Sequence, residues 1–279
     1  MWAMNKSPLI IGAALDATRT SKASLDIMSN QDVIAINQDP LAEQARLVRR
    51  YTEEEWDVWL GELSSSRRIV GVANWRNDSQ IVELDLKSLG ISSAKAKDVW
   101  SAKNLGLVSG KQTIGLAGHE LRLWLLSEIV VAPPLQTSMY HSAANASLSG
   151  PAHIISCTIG ACLPTGAKVG NINSSASVTF HSIDSQTTGK RLLGIDFVNY
   201  DYAFTSAWEW GDNTRNMTIA VNGGEAKRWA FPLSGGDWAE SGRLVLEVDG
   251  FTQDANNSII FRGFNSYWAP DLVGFELLQ

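Results

Sequence analysis

Two stretches of the chain place aromatic rings beside polar groups in a way that could hold a sugar. In FTSAWEWGDNTRN, Trp208 and Trp210 are two residues apart and share one face if the segment is extended. In Asn265-Ser266-Tyr267-Trp268, just before Ala269-Pro270, an amide, a phenol and an indole meet at what reads as a loop tip. A sugar offers C–H faces that stack on flat rings, and hydroxyls that pair with Asn, Asp or Arg. Two rings on one face suit a packed core equally well, whereas Trp268 has no evident burial. The chain holds eleven tryptophans against five tyrosines. Most must be core, because Trp is on average well buried. Trp229 and Trp238, which flank strands, read as packing.

Other reactive types are sparse. Asp16 follows the apolar run PLIIGAAL, and Asp39 follows DVIAI. Asp39 precedes Pro40 and reads as a turn former. Four scattered histidines and two cysteines supply no paired ligand spacing, so no metal site is expected. Cys157 and Cys162, within SCTIGACLPTG, are either a local disulfide or two free thiols. The compartment decides between them. Six Asn-x-Ser/Thr sequons occur, at Asn5, Asn77, Asn145, Asn173, Asn216 and Asn256. Asn5 lies in a segment that reads as buried. The other five fall in strand-and-turn regions and favour a secreted glycoprotein, hence the disulfide.

Composition narrows the class further. With 44% hydrophobic and 19% charged residues the chain is globular, and its 279 residues can hold two domains or one large one. A net charge of −6 with no basic cluster argues against a nucleic-acid or anionic-membrane partner. No run of eighteen apolar residues is present to span a bilayer. The opening MWAMNKSPLIIGAAL lacks a basic start and a clean cleavage site, and Pro8 interrupts it, so it is no signal peptide. Secretion features without a signal lead us to expect that the beginning of the protein is missing.

The elements that must position these residues fall into three blocks. PLIIGAAL at 8–15 and DVIAI at 32–36 are continuous apolar runs, which suit strands buried on both faces. Between them Ser21 can cap a helix over 21–30, giving a strand–helix–strand unit. From about 48 to 127 short strands alternate with turns: 57–60, 69–75, 80–86, 97–100 and 121–126. Pro133-Pro134 makes a stiff boundary. Beyond it SVTFHSI, LLGIDFVNY, MTIAVNGG, LVLEVDG and SIIFRGF read as a second all-β sandwich.

WAMNKSPLIIG followed by SNQDVIAINQDPL resembles the end of the barrel in the glycoside hydrolase family that contains α-galactosidases. The segment Ile36 to Pro40, INQDP, is specific to it, and AGHELRLWLLS with His119 resembles the closing strand of that family's β-sandwich. RNMTIAVNGGEAKRWAFPLSGGDWAESGRL and SYWAPDLVGFEL resemble an appended carbohydrate-binding module of the calcium type. The resemblance implies a mainly β chain in three parts. Residues 1–44 would be the remnant, the last two strands, of a (β/α)8 barrel. Residues 45–132 would be an antiparallel β-sandwich, and 133–279 a jelly-roll or galactose-binding-like module.

It also implies a function. Family members hydrolyse terminal α-galactosides with a nucleophilic Asp and an acid/base Asp, and both motifs would precede Met1. Retaining hydrolysis needs two carboxyls about 5–5.5 Å apart. Tyr200-Asp201-Tyr202 and Trp75-Arg76-Asn77-Asp78 only echo those motifs, so no catalytic residue is assigned and the chain alone is expected to be inactive. Its partner would be a galactose-containing oligosaccharide or polysaccharide, bound through Trp208, Trp210, Asn265, Tyr267 and Trp268. The alternative is a free-standing galactose-binding lectin. Of the calcium ligands in related modules, Ser142, Ala144 and Val273 stand where carboxylates would be. Asp271 and backbone carbonyls are the remaining donors, and no cofactor is expected.

Overall fold

The computed structural model describes residues 1–16, 18–202 and 213–278. The chain divides into two compact units. One comprises Met1–Val48 and Glu55–Pro134, and the other comprises Arg49–Glu54 and Leu135–Gln279.

The first unit is built on an antiparallel sheet whose central strands run in the order Trp56–Leu63, Arg67–Asn74, Leu121–Val131, Ile91–Asp98 and Asn104–Ser109. A two-stranded sheet, Gln80–Asp85 with Lys111–Leu116, completes it. Alternation sets the buried face. Val82, Leu84, Ile114 and Leu116 point inward while Ile81 is exposed.

Residues 1–44 depart from the expected strand–helix–strand unit. Lys22–Met28 is helical, with the Ser21 side chain accepting from Ser24 N as a cap. Gln31–Asn37, read from DVIAI as a strand, is instead a second helix. The Asn30 side chain accepts from Val33 N and starts it. A short apolar run does not distinguish a buried strand from one turn-pair of helix, and here the cap decides. Residues 8–15 form no strand either: no described strand pairs with them, and Ile10 is 81% exposed. A strand outside a ladder leaves its backbone groups without partners. Among the described residues neither expected barrel strand forms.

The segment nevertheless docks. Ala3, Met4 and Ile36 are buried in one cluster with Ala45, Leu63, Ile69, Val99 and Leu123. Lys6 Nζ donates to Ile36 O, Asn37 Nδ2 donates to Ser7 O at 2.9 Å, and Lys97 Nζ pairs with Asp32 at 2.6 Å.

The second unit is a sandwich of two antiparallel sheets. One runs Ser147–Ser149, Ser177–Ile183, Asn257–Gly263, Arg215–Val221, Lys227–Phe231; the other runs His153–Ser156, Ala167–Gly170, Asp271–Leu278, Gly189–Val198, Gly242–Phe251. Strict alternation in RNMTIAV and GRLVLEV turns Met217, Ile219, Val221, Leu244, Leu246 and Val248 inward. Phe180, Phe261 and Phe275 meet between the sheets with ring centres 4.9–5.7 Å apart.

Candidate functional site

In the second unit, loops at one end of the sandwich gather exposed rings around one arginine. Arg215 opens the strand Arg215–Val221. Its guanidinium lies over Trp238, 4.7 Å from the ring centre, and its Nε donates to Asp201 Oδ2 at 3.0 Å. One terminal nitrogen donates to Ala269 O at 3.2 Å. That single side chain fixes the turn bearing Trp238, the segment bearing Tyr200 and Tyr202, and the residue that follows Trp268. Tyr200 stacks on Tyr202 with centres 5.6 Å apart and meets the Trp238 edge at 6.4 Å. Trp238 is 39% exposed and Trp268 44%.

Polar side chains hold these loops. Asn199, fully buried, donates from Nδ2 to Phe231 O and Pro232 O, while its Oδ1 accepts from Asp201 N. Asp237 Oδ1 accepts from Ala239 N at 2.7 Å and Glu240 N at 2.8 Å, which turns the chain so that Trp238 faces outward. Cys162 N donates to Ala239 O at 2.7 Å, joining the disulfide loop to the same turn. Cys157 and Cys162 are bonded, S–S 2.04 Å.

The residues singled out in the sequence are distributed unevenly. Asn265, Tyr267 and Trp268 stand exposed at a loop tip, with Asn265 in the left-handed backbone region at φ 55°. Trp208 and Trp210 lie outside the described residues. Trp229 is buried at 3% exposure and is core, as expected, whereas Trp238 is not packing but part of the exposed cluster. Trp238, Tyr200, Tyr202 and Arg215 were missed by the sequence reading. The available signal was SGGDW, a turn-rich approach to a large ring. Asn77, Asn145 and Asn256 are exposed; Asn173 and Asn216 are half-buried.

Both Asp16 and Asp39 are engaged in local hydrogen bonds. Asp16 accepts from Thr18 Oγ1, from Thr18 N and from Arg19, and the Thr18 hydroxyl chiefly holds its pKa below the usual range. Asp39 is buried. Desolvation pushes its pKa up, but hydrogen bonds from Ser64 N, Ser64 Oγ and Leu41 N outweigh this and hold it low. Arg67 pairs with it at 2.9 Å. It ties the Pro40 turn to residues 64–67, the structural role its sequence context suggested.

The donors left for a calcium ion do not fit one. Ser142 Oγ accepts from Ala144 N as a cap, and Asp271 Oδ2 is bound by Lys168 Nζ at 2.7 Å. Among the described residues no group of three or more His, Cys, Asp or Glu could hold a metal ion. Calcium requires several oxygens with charge among them.

Residues 53–126 match the family described as "Alpha galactosidase C-terminal beta sandwich domain". The chain is 29% identical to "Alpha-galactosidase D" of Emericella nidulans over 99% of its own length and 58% of that protein's. It is 30% identical to "Probable alpha-galactosidase D" of Aspergillus fumigatus, covering all of the chain and 58% of that protein. The crystal structure of α-galactosidase I from Mortierella vinacea shares 25% identity over 47% of the chain and 34% of its own, with a TM-score of 0.43. The chain thus spans somewhat more than half the length of the curated relatives it matches. It is related by sequence to the α-galactosidases and resembles the C-terminal part of one.

Proposed function

We propose that the chain serves an α-galactosidase-type glycoside hydrolase as its carbohydrate-binding, non-catalytic portion, and that the whole enzyme removes terminal α-galactosyl residues. Similarity to α-galactosidases along the entire chain supports the enzyme class. The observation that carries the binding role is the ring cluster around Arg215. Trp238 has one face covered by a guanidinium and remains partly open, with Trp268 and Tyr267 exposed nearby in sequence to the Arg215-bound Ala269. A sugar would stack its C–H face on an open indole and place hydroxyls toward Asp201, Arg215 or Asn265. A galactose-containing glycan is the ligand expected from the enzyme class. The protein would be a secreted glycoprotein carrying sugar at Asn77, Asn145, Asn173, Asn216 and Asn256. Among the described residues no helix is long and apolar enough to cross a membrane.

Two measurements test the reading. The purified chain should leave p-nitrophenyl α-galactoside unhydrolysed, because Asp16 and Asp39 are engaged in turns. Titration calorimetry with galactose-containing oligosaccharides should show weak binding that Trp238→Ala or Trp268→Ala weakens further. Turnover lost in Asp16→Asn or Asp39→Asn would overturn the non-catalytic role.

A further inference from the structure

Of the indoles that the first unit exposes, Trp75 and Trp100 are each held by a hydrogen bond. Trp75 Nε1 donates to Asp57 Oδ2 and Trp100 Nε1 donates to Leu121 O, each at 2.9 Å. With their N–H groups satisfied inward, the rings are 50% and 41% exposed. They line a shallow groove of about 410 Å³ together with Ala73, His119 and Leu121. Fixed, half-open rings lining one groove are costly to leave in water.

The groove has a sequon at its lip. Asn77-Asp78-Ser79 begins two residues after Trp75, and Asn77 is exposed. Its Oδ1 accepts from Nε2 of His119, itself a groove residue, at 2.8 Å. The backbone there is also pinned. His119 N donates to Arg76 O at 3.0 Å, and a Cβ at Gly118 would meet Asn77 O at 2.1 Å, so the turns at 75–79 and 117–120 are in direct contact. Arg76 holds Asp78 through two bonds of 2.9 and 3.0 Å. Asn77 Oδ1 is engaged, while among the described residues Nδ2 takes no partner, and Nδ2 is the atom that N-glycosylation uses.

We propose that Asn77 is glycosylated and that the first sugars of this glycan lie back over Trp75 and Trp100, as a permanent tethered cover. The attachment draws on a polyprenyl diphosphate-linked oligosaccharide. Asn77 Nδ2 displaces the diphosphate from the anomeric carbon; the C–O bond breaks, the C–N bond forms, and Nδ2 gives up one proton. The His119 bond survives, because Oδ1 remains an acceptor, and it aims the amide along the groove. Tethering makes the sugar–ring contact intramolecular, so a stack too weak to bind a free sugar stays occupied.

The inference rests on the secretory reading above, and one experiment separates the two. The full chain is secreted from a eukaryotic host, and glycopeptide mass spectrometry reads occupancy at each sequon. Hydroxyl-radical footprinting then reads the oxidation rates of Trp75 and Trp100, with Trp238 as the internal reference. Wild type is expected to be occupied at Asn77. Ser79→Ala, which keeps Asn77 but destroys the sequon, should raise oxidation of both rings several-fold and leave Trp238 unchanged. Enzymatic removal of glycans from the folded wild type should do the same, which guards against misfolding of the variant. A bare Asn77 beside occupied sequons elsewhere, or an occupied Asn77 with unprotected rings, overturns the inference and leaves the secretory reading standing. Bare asparagines at every sequon overturn both.

Discussion

Lys168 Nζ lies 2.7 Å from Asp271 Oδ2 with both side chains nearly sealed from water, at 6% and 11% exposure. The ammonium also donates to Trp238 O at 2.5 Å and sits 5.6 Å from that indole's centre. One buried cation thus neutralises the carboxylate at the start of the last strand and holds the turn that presents an exposed ring. Lys168→Met should leave Asp271 charged and alone, a loss of about 3–5 kcal/mol in urea unfolding. Adding Asp271→Leu to that variant should recover most of the loss. Calcium or a chelator should shift the wild-type melting temperature by nothing measurable. A calcium-dependent rise would show that a metal, rather than the ammonium, balances this carboxylate.

Asp39 gives the first unit a defined acid response. Its folded-state pKa is held below the unfolded one, so the stabilisation is complete above the unfolded carboxylate value of about 3.9. It is lost as the pH falls through the lower folded value. Asp39→Asn should cost about 1.5–3 kcal/mol near neutrality, the worth of hydrogen bonds to a charged group. The gap between wild type and variant should close as denaturation curves are taken to lower pH. A gap that stays constant with pH would contradict the assigned role.

The tryptophans of the second unit should separate by assay. Trp268→Ala and Trp238→Ala should weaken glycan binding roughly tenfold or more, about 1.4 kcal/mol, with little effect on melting. Trp229→Ala, at a buried position, should instead cost about 3–5 kcal/mol of stability. Calorimetry and thermal melting of the three variants read both quantities.

The disulfide should matter more for the site than for the fold. Unreduced, denatured protein should expose no thiol to labelling. The loop it closes is short, so Cys157→Ala with Cys162→Ala should cost less than the roughly 3 kcal/mol of a 15-residue loop. Cys162 N nevertheless binds Ala239 O, next to Trp238. The pair of substitutions should therefore lower glycan affinity beyond any change in melting.

The β architecture was legible where alternation was clean. MTIAV and LVLEV carry their inward faces openly, and INQDP with the closing AGHELRLWLLS pointed to the α-galactosidase relationship that the comparisons show. The strands Asn104–Ser109 and Lys111–Leu116, which pair with Ile91–Asp98 and Gln80–Asp85, escaped because Gly106 and Gly115 dilute the pattern. The helix at Gln31–Asn37 was hidden in an apolar run, although Asn30 announced its cap. At the site, Trp268 could be read from its loop. Trp238 could not, since its direction depends on Asp237 bonding two backbone amides and on an arginine 23 positions earlier in the chain.

Met4 sits under Gly71, where even an added methyl group would meet its sulfur at 2.8 Å. The opening residues thus act as a plug cut to the shape of the sheet. Anyone grafting the first sandwich onto another protein would have to carry that plug along. A transplant that starts at Ala45 would arrive with a hole where Ala3, Met4 and Ile36 had been, and with Leu63, Ile69 and Leu123 open to the nearest greasy neighbour.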